Sequence, residues 1–545
     1  MMILLLVLGA GAVVGVTILQ RYIPSKEPAD LDMVLGVSGE ETALFFNGKL
    51  QEDVGLTRDG QIYLPVKWVN SRINEKFYWD EVEKLLVYTL PDTIVYADRR
   101  TKGSTGLPLI LAEKSGIYLS VGLITNYTAV EVYGFVEGED HKRVYIDDRW
   151  EPIQTGVSAK RTPVRVGEDI KSPILTYVEK EGNFQILDQS EEWARVLTED
   201  GFIGYLKNKR IARTQTEENP CTMELPEYTS ISLDEKVCLA WHQVTHEDAN
   251  GAMEELIANT EGVNVIAPTW FALTDNRGNY HSYADRDYVD KAHEMGMQVW
   301  AVLDNFNMGD NVNSEILFSQ TSVRKRLIAG LMEDVKQYGL DGINLDIEGI
   351  KPEAGPHYVQ FIRELSVSCR KEGVILSVDN YVPAGYNSFY NRAEQGRVAD
   401  YVIVMGYDEH YAGGEAGSVA SYSYVQEGIQ NTIEEVPHEK VINAVPFYTR
   451  VWTIKDDKTT SSALGIAGAQ KWIEENGVEL FWQEDMGQYY GELSTEEGLK
   501  QIWMEEERSL GLKMDLIEKY QLAGVGCWKL GFESASIWDV VKVNR

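Results

Sequence analysis

The chain has 545 residues, 44% of them hydrophobic and 25% charged, with a formal net charge of −34. That is enough length for three or four domains at about 100–200 residues each and enough apolar content for a large core, which excludes a wholly disordered chain. The acidity argues against nucleic acid as a partner, because phosphate binding needs basic patches; otherwise it implies a self-repelling, well-solvated surface.

Residues 1–19 are apolar apart from Thr17. At about 1.5 Å per helical residue they nearly span a hydrocarbon core of about 30 Å. The expectation is a membrane-spanning signal anchor over residues 1–22, with the bulk of the chain outside the cytoplasm. A cleaved signal peptide is the alternative, but it would bring basic residues before the apolar run and small residues at a cut site after it. Arg21 and Lys26 point the other way under the positive-inside rule. Two charges are a small bias, and the substrate inferred below outweighs them. A polar linker over 24–32 is expected next.

Residues 33–151 are dense in short β-like runs, at 43–46, 62–65, 85–89, 117–121, 130–135 and 143–146, several of them separated by Gly or Asp-Gly turns. The strings Phe46-Asn47-Gly48-Lys49, Tyr63-Leu64-Pro65-Val66 and Phe77-Tyr78-Trp79-Asp80 resemble the stalk module named after the N-terminal domain of copper amine oxidase. No metal-ligand cluster accompanies them, so the resemblance implies a spacer or wall-binding role and no copper chemistry. Residues 160–213 form a second β-rich unit, with Val164-Arg165 at its start, Lys180-Glu181-Gly182 in a turn, Trp193, and Gly201-Phe202-Ile203-Gly204-Tyr205 near its end. It resembles a bacterial SH3-like domain, which implies binding of wall peptides. Trp193 and Tyr205 read equally well as the core of a small barrel. The polar, Pro-containing stretch 214–228 is a linker candidate.

From about residue 225 to 545, strands and amphipathic helices alternate. Strand candidates are 237–241, 263–268, 298–303, 342–347, 374–378, 401–405, 441–445 and 524–528, and helix candidates between them include 288–294, 323–338, 356–371, 424–434 and 512–520. Eight strands in that order predict a (β/α)8 barrel, so the fold class is multidomain: a C-terminal TIM barrel preceded by two small β-rich domains and the N-terminal helix. The stretch between strands seven and eight exceeds a normal crossover. Its Glu479-Leu480-Phe481-Trp482-Gln483 and Gln488-Tyr489-Tyr490 runs predict an α+β insertion at about 453–521 that walls one side of a cleft. Four cysteines lack CxxC spacing, so neither a zinc site nor any other cofactor is expected. Cys238 and Cys527 fall on strands one and eight, which touch in a closed barrel; buried thiols are the first reading and a disulfide the second.

At the fourth strand Asn344, Asp346 and Glu348 alternate with Ile343, Leu345 and Ile347. Residues two apart in a strand share a face, so three polar side chains project together at the end where βα barrels keep their active sites. Solvated carboxylates closing a strand are the bland alternative. The run Asp341-Gly342-Ile343-Asn344-Leu345-Asp346-Ile347-Glu348 resembles the signature of glycoside hydrolase family 18, Asp-x-x-Asp-x-Asp-x-Glu, with Asn344 at the second acidic position. The resemblance runs from about Lys236 to the C-terminus. It implies that Glu348 is the general acid, that Asp346 orients the substrate's acetamido group, and that Asp341 and Gly342 are the structural start of the motif. An Asn at position 344 is familiar in the subgroup resembling spore-cortex and other peptidoglycan N-acetylglucosaminidases, which favours peptidoglycan over chitin as the polymer. Met405-Gly406-Tyr407-Asp408 matches the family's Met-x-Tyr-Asp, implying that Tyr407 donates to the acetamido oxygen and Asp408 bonds the same sugar. Trp528 matches the Trp that floors the sugar ring, a flat aromatic against the apolar face of a pyranose. Asn344, Trp270, Asn305, Tyr381 and Tyr448 are further substrate-binding candidates; for the last four, core packing is an equal reading.

The resemblance implies retention without an enzyme nucleophile: the N-acetyl oxygen attacks the anomeric carbon while Glu348 protonates the leaving oxygen, an exception to the two-carboxylate scheme. The nearby charge of Asp346 disfavours ionisation of Glu348. Asn344 can offer its amide to Asp346 but cannot share a proton with it, so an altered pH dependence is expected. Two rivals are a carbohydrate-binding protein on an inactive barrel, which the presence of Glu348 disfavours, and a scaffold whose purpose lies in the β-rich modules.

Overall fold

In the computed structural model, which describes residues 21–136, 141–306 and 312–543, the alternation of side chains along eight strands decides the C-terminal architecture. The strands are β1 (Val237–His242), β2 (Val265–Pro268), β3 (Gln298–Asp304), β4 (Gly342–Asp346), β5 (Ile375–Tyr381), β6 (Tyr401–Met405), β7 (Val441–Pro446) and β8 (Gly524–Trp528). All are parallel, in the order β2-β1-β8-β7-β6-β5-β4-β3, and pairing of β2 with β3 closes the ring. A helix occupies each interval: α1 (Met253–Ile257), α2 (Arg286–Glu294), α3 (Thr321–Tyr338), α4 (Gly355–Glu372), α5 (Arg392–Val398), α6 (Tyr422–Ile433) and α7 (Glu507–Lys519).

The two faces of the strands separate cleanly. Val237, Leu239, Trp241, Trp300, Val302, Ile375, Ile403 and Ala444 fill the barrel interior. Their neighbours in sequence, such as Cys238, Ala301, Leu303, Ile343, Leu345, Val402 and Cys527, pack outward against the helices. The barrel thiols Cys238, Cys369 and Cys527 are free and buried. Gly342 opens β4 where a Cβ would lie 2.8 Å from the Trp300 ring and 3.1 Å from the Ile375 carbonyl oxygen. Asp341, just before it, accepts from His293 Nε2 at 2.8 Å and from the Val299 amide at 2.8 Å. It therefore ties down the foot of β4, at the end of the barrel opposite the mouth.

Between β7 and β8 lies a five-stranded antiparallel sheet, from Tyr448–Lys455 to Gly498–Met504, with the helix Ile466–Asn476. The insertion begins and ends earlier than the expected 453–521. The last part of the expected range is α7, whose Leu510, Leu516 and Ile517 belong to the outer core of the barrel: the apolar face of that segment makes it the crossover helix of the seventh βα unit.

The described chain forms two compact units, one holding most residues up to Leu225 and the other holding 80–83, 88–95 and 226 onward. The first contains two seven-stranded sheets, drawn from strands between Glu41 and Asp147 and between Ile153 and Glu217. Each sheet corresponds to one of the two expected β-rich stretches, and the second has a core of its own around Val164, Phe184 and Val196, but the two are also joined. Ala43, Phe45 and Tyr145 of one sheet share a core with Leu197 and Ile203 of the other, and the Gly201 carbonyl accepts from Arg143 Nε at 2.9 Å and the Tyr145 hydroxyl at 2.5 Å. Trp193 is buried, under the ammonium of Lys207. Nor is the stretch expected as a polar linker free, since Ser25 donates to the Ile170 carbonyl, Ile174 to that of Glu27 and Ala29 to that of Ile174, each at 2.8 Å. The expected stalk module 33–151 is likewise interrupted, because 80–83 and 88–95 belong with the barrel. There the buried Asp80 accepts from the Thr321 amide at 2.7 Å and its hydroxyl at 2.6 Å, satisfying the first turn of α3. The apolar stretch 1–19 lies outside the described residues, among which no helix is long and apolar enough to cross a membrane.

Candidate active site

The polar face of β4 opens into the barrel mouth, as strand geometry requires, but its three members have different surroundings. Asn344 is fully buried. Its Nδ2 donates to Asp379 Oδ1 at 2.8 Å and Ser377 Oγ at 2.9 Å, and its Oδ1 accepts from Trp241 Nε1 at 3.0 Å. That corrects two expectations: Asn344 does not line an open cleft, and its amide serves Asp379 instead of Asp346. Asp346 sits one step higher, also buried, with Oδ1 lacking a hydrogen-bond partner among the described atoms. Burial first, then the charges of Glu348, Asp379 and Asp304, push its carboxyl well above the usual range.

Glu348 follows the end of β4 and is held from both sides. Its amide donates to Asn305 Oδ1 at 2.9 Å, and Asn305 Nδ2 donates back to its carbonyl at 2.8 Å. The Tyr381 hydroxyl donates to Glu348 Oε2 at 2.7 Å and accepts from the Gly349 amide at 3.2 Å. Asn305 and Tyr381 are thus brought to the carboxyl group itself. Burial raises the Glu348 pKa, with a further push from Asp408, while the Tyr381 hydrogen bond opposes it. A hydrogen bond to the charged form favours that form, so removing it raises the pKa further. Tyr381→Phe is therefore expected to move the alkaline limb of a kcat/KM profile to higher pH; a limb that stays or moves down would show that the hydroxyl does not tune Glu348.

Tyr407 and Asp408 follow β6. Burial first and then Asp346 hold the Tyr407 phenol well above its ordinary pKa, so it remains a donor. Asp408 has the left-handed backbone φ of 60° and accepts from the Tyr448 hydroxyl at 2.5 Å. The rings of Tyr407 and Tyr448 meet edge to face at 6.2 Å. Trp528 ends β8, half-buried, with its ring 5.9 Å from that of Trp241. Trp270 is not part of this group. It is fully buried in the layer between strands and helices, its indole N–H donating to Asn250 Oδ1 at 2.8 Å and its ring against Tyr288.

Two residues escaped the sequence reading. Asp304 ends β3, paired with Asp346 in the register, and Asp379 lies on β5. Their signal was present in the spacing of each strand, but both follow the last apolar residue of a run and look like loop residues.

Residues 287–533 match the family described as Glycosyl hydrolases family 18. The barrel is a family 18 glycoside hydrolase. This family 18 barrel is 28% identical over 300 residues to "Uncharacterized glycosylase YvbX" of Bacillus subtilis, covering 51% of this chain and 84% of that one. It is 25% identical over 252 residues to the "Cortical fragment-lytic enzyme" of B. subtilis, covering 44% of this chain and 58% of the relative, less than two thirds of its length. Two solved structures share the fold. A chitinase from Chromobacterium violaceum is 22% identical with a TM-score of 0.51, covering 56% of this chain and 98% of its own. The spore cortex-lytic enzyme SleL of Bacillus cereus is 18% identical with a TM-score of 0.51, covering 60% and 76%. In the family 18 barrel described here, a carboxyl whose pKa burial raises stands beside a second buried carboxyl, a phenol donor and a half-buried indole. That set can protonate a leaving oxygen and hold a sugar.

Proposed function

We propose that the enzyme is a retaining hydrolase of β-1,4 bonds in N-acetylglucosamine-containing glycans, acting on peptidoglycan by substrate-assisted catalysis. Glu348 is the general acid, Asp346 and Tyr407 hold the acetamido group, Asp408 and Trp528 hold the sugar, and Asn305, Tyr381 and Tyr448 position these groups. The observation that carries the reading is the arrangement of carboxyl groups. Asp304, Asp346 and Asp379 come from the adjacent strands β3, β4 and β5 and Glu348 follows β4, and Asp408 is engaged by Tyr448. An enzyme nucleophile must sit across the bond from the acid, whereas these carboxylates approach from one wall; the N-acetyl oxygen of the substrate is the remaining nucleophile. The names of the cortical fragment-lytic and cortex-lytic relatives support cell wall as the polymer. The apolar run at 1–19 supports an anchored enzyme with its barrel outside the cytoplasm, and the second β-rich sheet supports contact with wall peptides.

The test is digestion of peptidoglycan, chitin oligomers and de-N-acetylated peptidoglycan by the full chain, with products identified by mass. Acetylated peptidoglycan is expected to be cut, the modified sugar spared, and a thiazoline mimic of the oxazolinium ion to inhibit. Cleavage of acetylated and de-N-acetylated sugars at comparable rates, or a glycosyl ester trapped on Asp346 or Asp408, would end the substrate-assisted reading. Cleavage confined to chitin would replace the polymer, and binding without cleavage would leave a lectin.

A further inference from the structure

Three strands place three aspartates side by side at one level of the barrel. The register pairs Asp304 of β3 with Asp346 of β4. It also pairs Asn344 with Ser377 and Leu345 with Val378, so the next step sets Asp379 beside Asp346 at about the 4.7–4.9 Å spacing of neighbouring strands. All three are buried. Asp346 has one oxygen without a partner, while Asp379 Oδ1 accepts from Asn344 Nδ2 at 2.8 Å. Adjacent buried carboxylates cannot all ionise together, so such a row retains protons that belong to the group and not to one member.

We propose that Asp379 is a positioning residue that shares a proton with Asp346 across the β4–β5 pairing and so sets the protonation state of the Asp346–Glu348 pair. The proton moves from one carboxyl oxygen to the other with no net gain or loss: when Asp346 is the carboxylate, Asp379 is the acid. The inference rests on the reading of Glu348 as the catalytic acid.

The surroundings of Asp379 leave a proton as the means of neutralising it. Facing it are Asp346 and Glu348 of β4, Asn344 and Ser377, the Tyr407 phenol after β6 and the Tyr358 phenol of α4, with Asp304 on the far side of Asp346. None of these is a cation. Burial pushes the Asp379 carboxyl up to about 8, the Asn344 hydrogen bond working against it and the Glu348 charge with it. The amide–carboxylate contact between Asn344 and Asp379 also makes an exchange possible. Swapping the two residues moves the carboxylate by one hydrogen-bond length and keeps an amide opposite it.

The experiment measures kcat/KM against pH, together with thermal melting, for the full chain and for Asp379→Asn and Asn344→Asp/Asp379→Asn. In the wild type the shared proton leaves one negative charge spread over Asp346 and Asp379; in Asp379→Asn that charge rests on Asp346 alone, beside Glu348, and a nearer like charge raises a carboxyl pKa, so Glu348 keeps its proton to higher pH. The expected result for Asp379→Asn is a folded enzyme whose alkaline limb rises by about one pH unit, a roughly tenfold gain of rate at pH values on that limb. The double variant is expected to move the limb back toward the wild-type position. A limb in Asp379→Asn that coincides with wild type overturns the proposal, as does a double variant that fails to restore it. If Asp379→Asn does not fold, the double variant decides alone: a folded enzyme with a wild-type limb supports the proposal, and a displaced limb or an unfolded chain overturns it. Failure of the acid reading would appear elsewhere, as turnover surviving in Glu348→Gln whatever the Asp379 variants do.

Discussion

Glu348→Gln is expected to keep the fold and bind sugar while turnover falls by about 10²–10⁴, the contribution of a positioned general acid. The geometry explains why the two properties separate. Asn305 grips residue 348 through its main-chain amide and carbonyl, which the substitution leaves alone. The new amide oxygen can still accept from the Tyr381 hydroxyl that now bonds Oε2. What is lost is a proton acidic enough to transfer. The check is turnover of a glycan with a poor leaving group, alongside melting of the variant. Activity above a few per cent of wild type would remove Glu348 from the role of acid.

A second large effect is expected in stability. Arg324 of α3 and Glu364 of α4 form a pair with both side chains fully excluded from water. Arg324 Nε and Nη2 both donate to Glu364 Oε1, at 3.1 and 2.8 Å, while Nη1 reaches the Phe318 carbonyl at 2.7 Å. Gln360, one turn earlier on α4, donates to the same carboxylate oxygen at 2.9 Å. Glu364→Ala removes the counter-charge but leaves the guanidinium in its buried place, a change that costs about 3–5 kcal/mol. Replacing both residues with Met is expected to cost far less, because desolvation of both charges disappears with their attraction. Urea unfolding followed by loss of glycosidase activity distinguishes the cases; a single variant as stable as the double would show that the pair carries no buried charge.

The barrel was legible in the sequence because its strands are buried on both sides and are therefore nearly continuous apolar runs; β6 and β8 begin and end where the runs at 401–405 and 524–528 do. The same rule hid part of the site. Reading β3 as ending at Leu303 and β5 at Val378 stops each strand where hydrophobicity stops, yet both continue, to Asp304 and Tyr381. The interior of the barrel turns polar toward its mouth, so there the last inward residues break the apolar pattern while keeping strand geometry. Trp270 failed in the opposite sense: an aromatic near the end of a strand looked like cleft lining, but its direction placed it in the outer core. The two β-rich stretches were legible as separate sheets, whereas the contacts that join them, such as Arg143 with Gly201, link residues distant in sequence and carry no local signal.

The hydrogen bonds of Glu27 and Ala29 with Ile174, the first residue of the strand Ile174–Val178, bear on how the protein tolerates trimming. That strand is the outermost of its sheet, and an uncovered outermost strand offers a row of open amides and carbonyls as a template for another chain. The short segment occupies the start of that edge, at Ile174. A chain shortened to begin at Ala29 would shed the apolar run but also free the amide of Ile174 that now donates to Glu27, whereas a cut before Ser25 removes the run and keeps that bond.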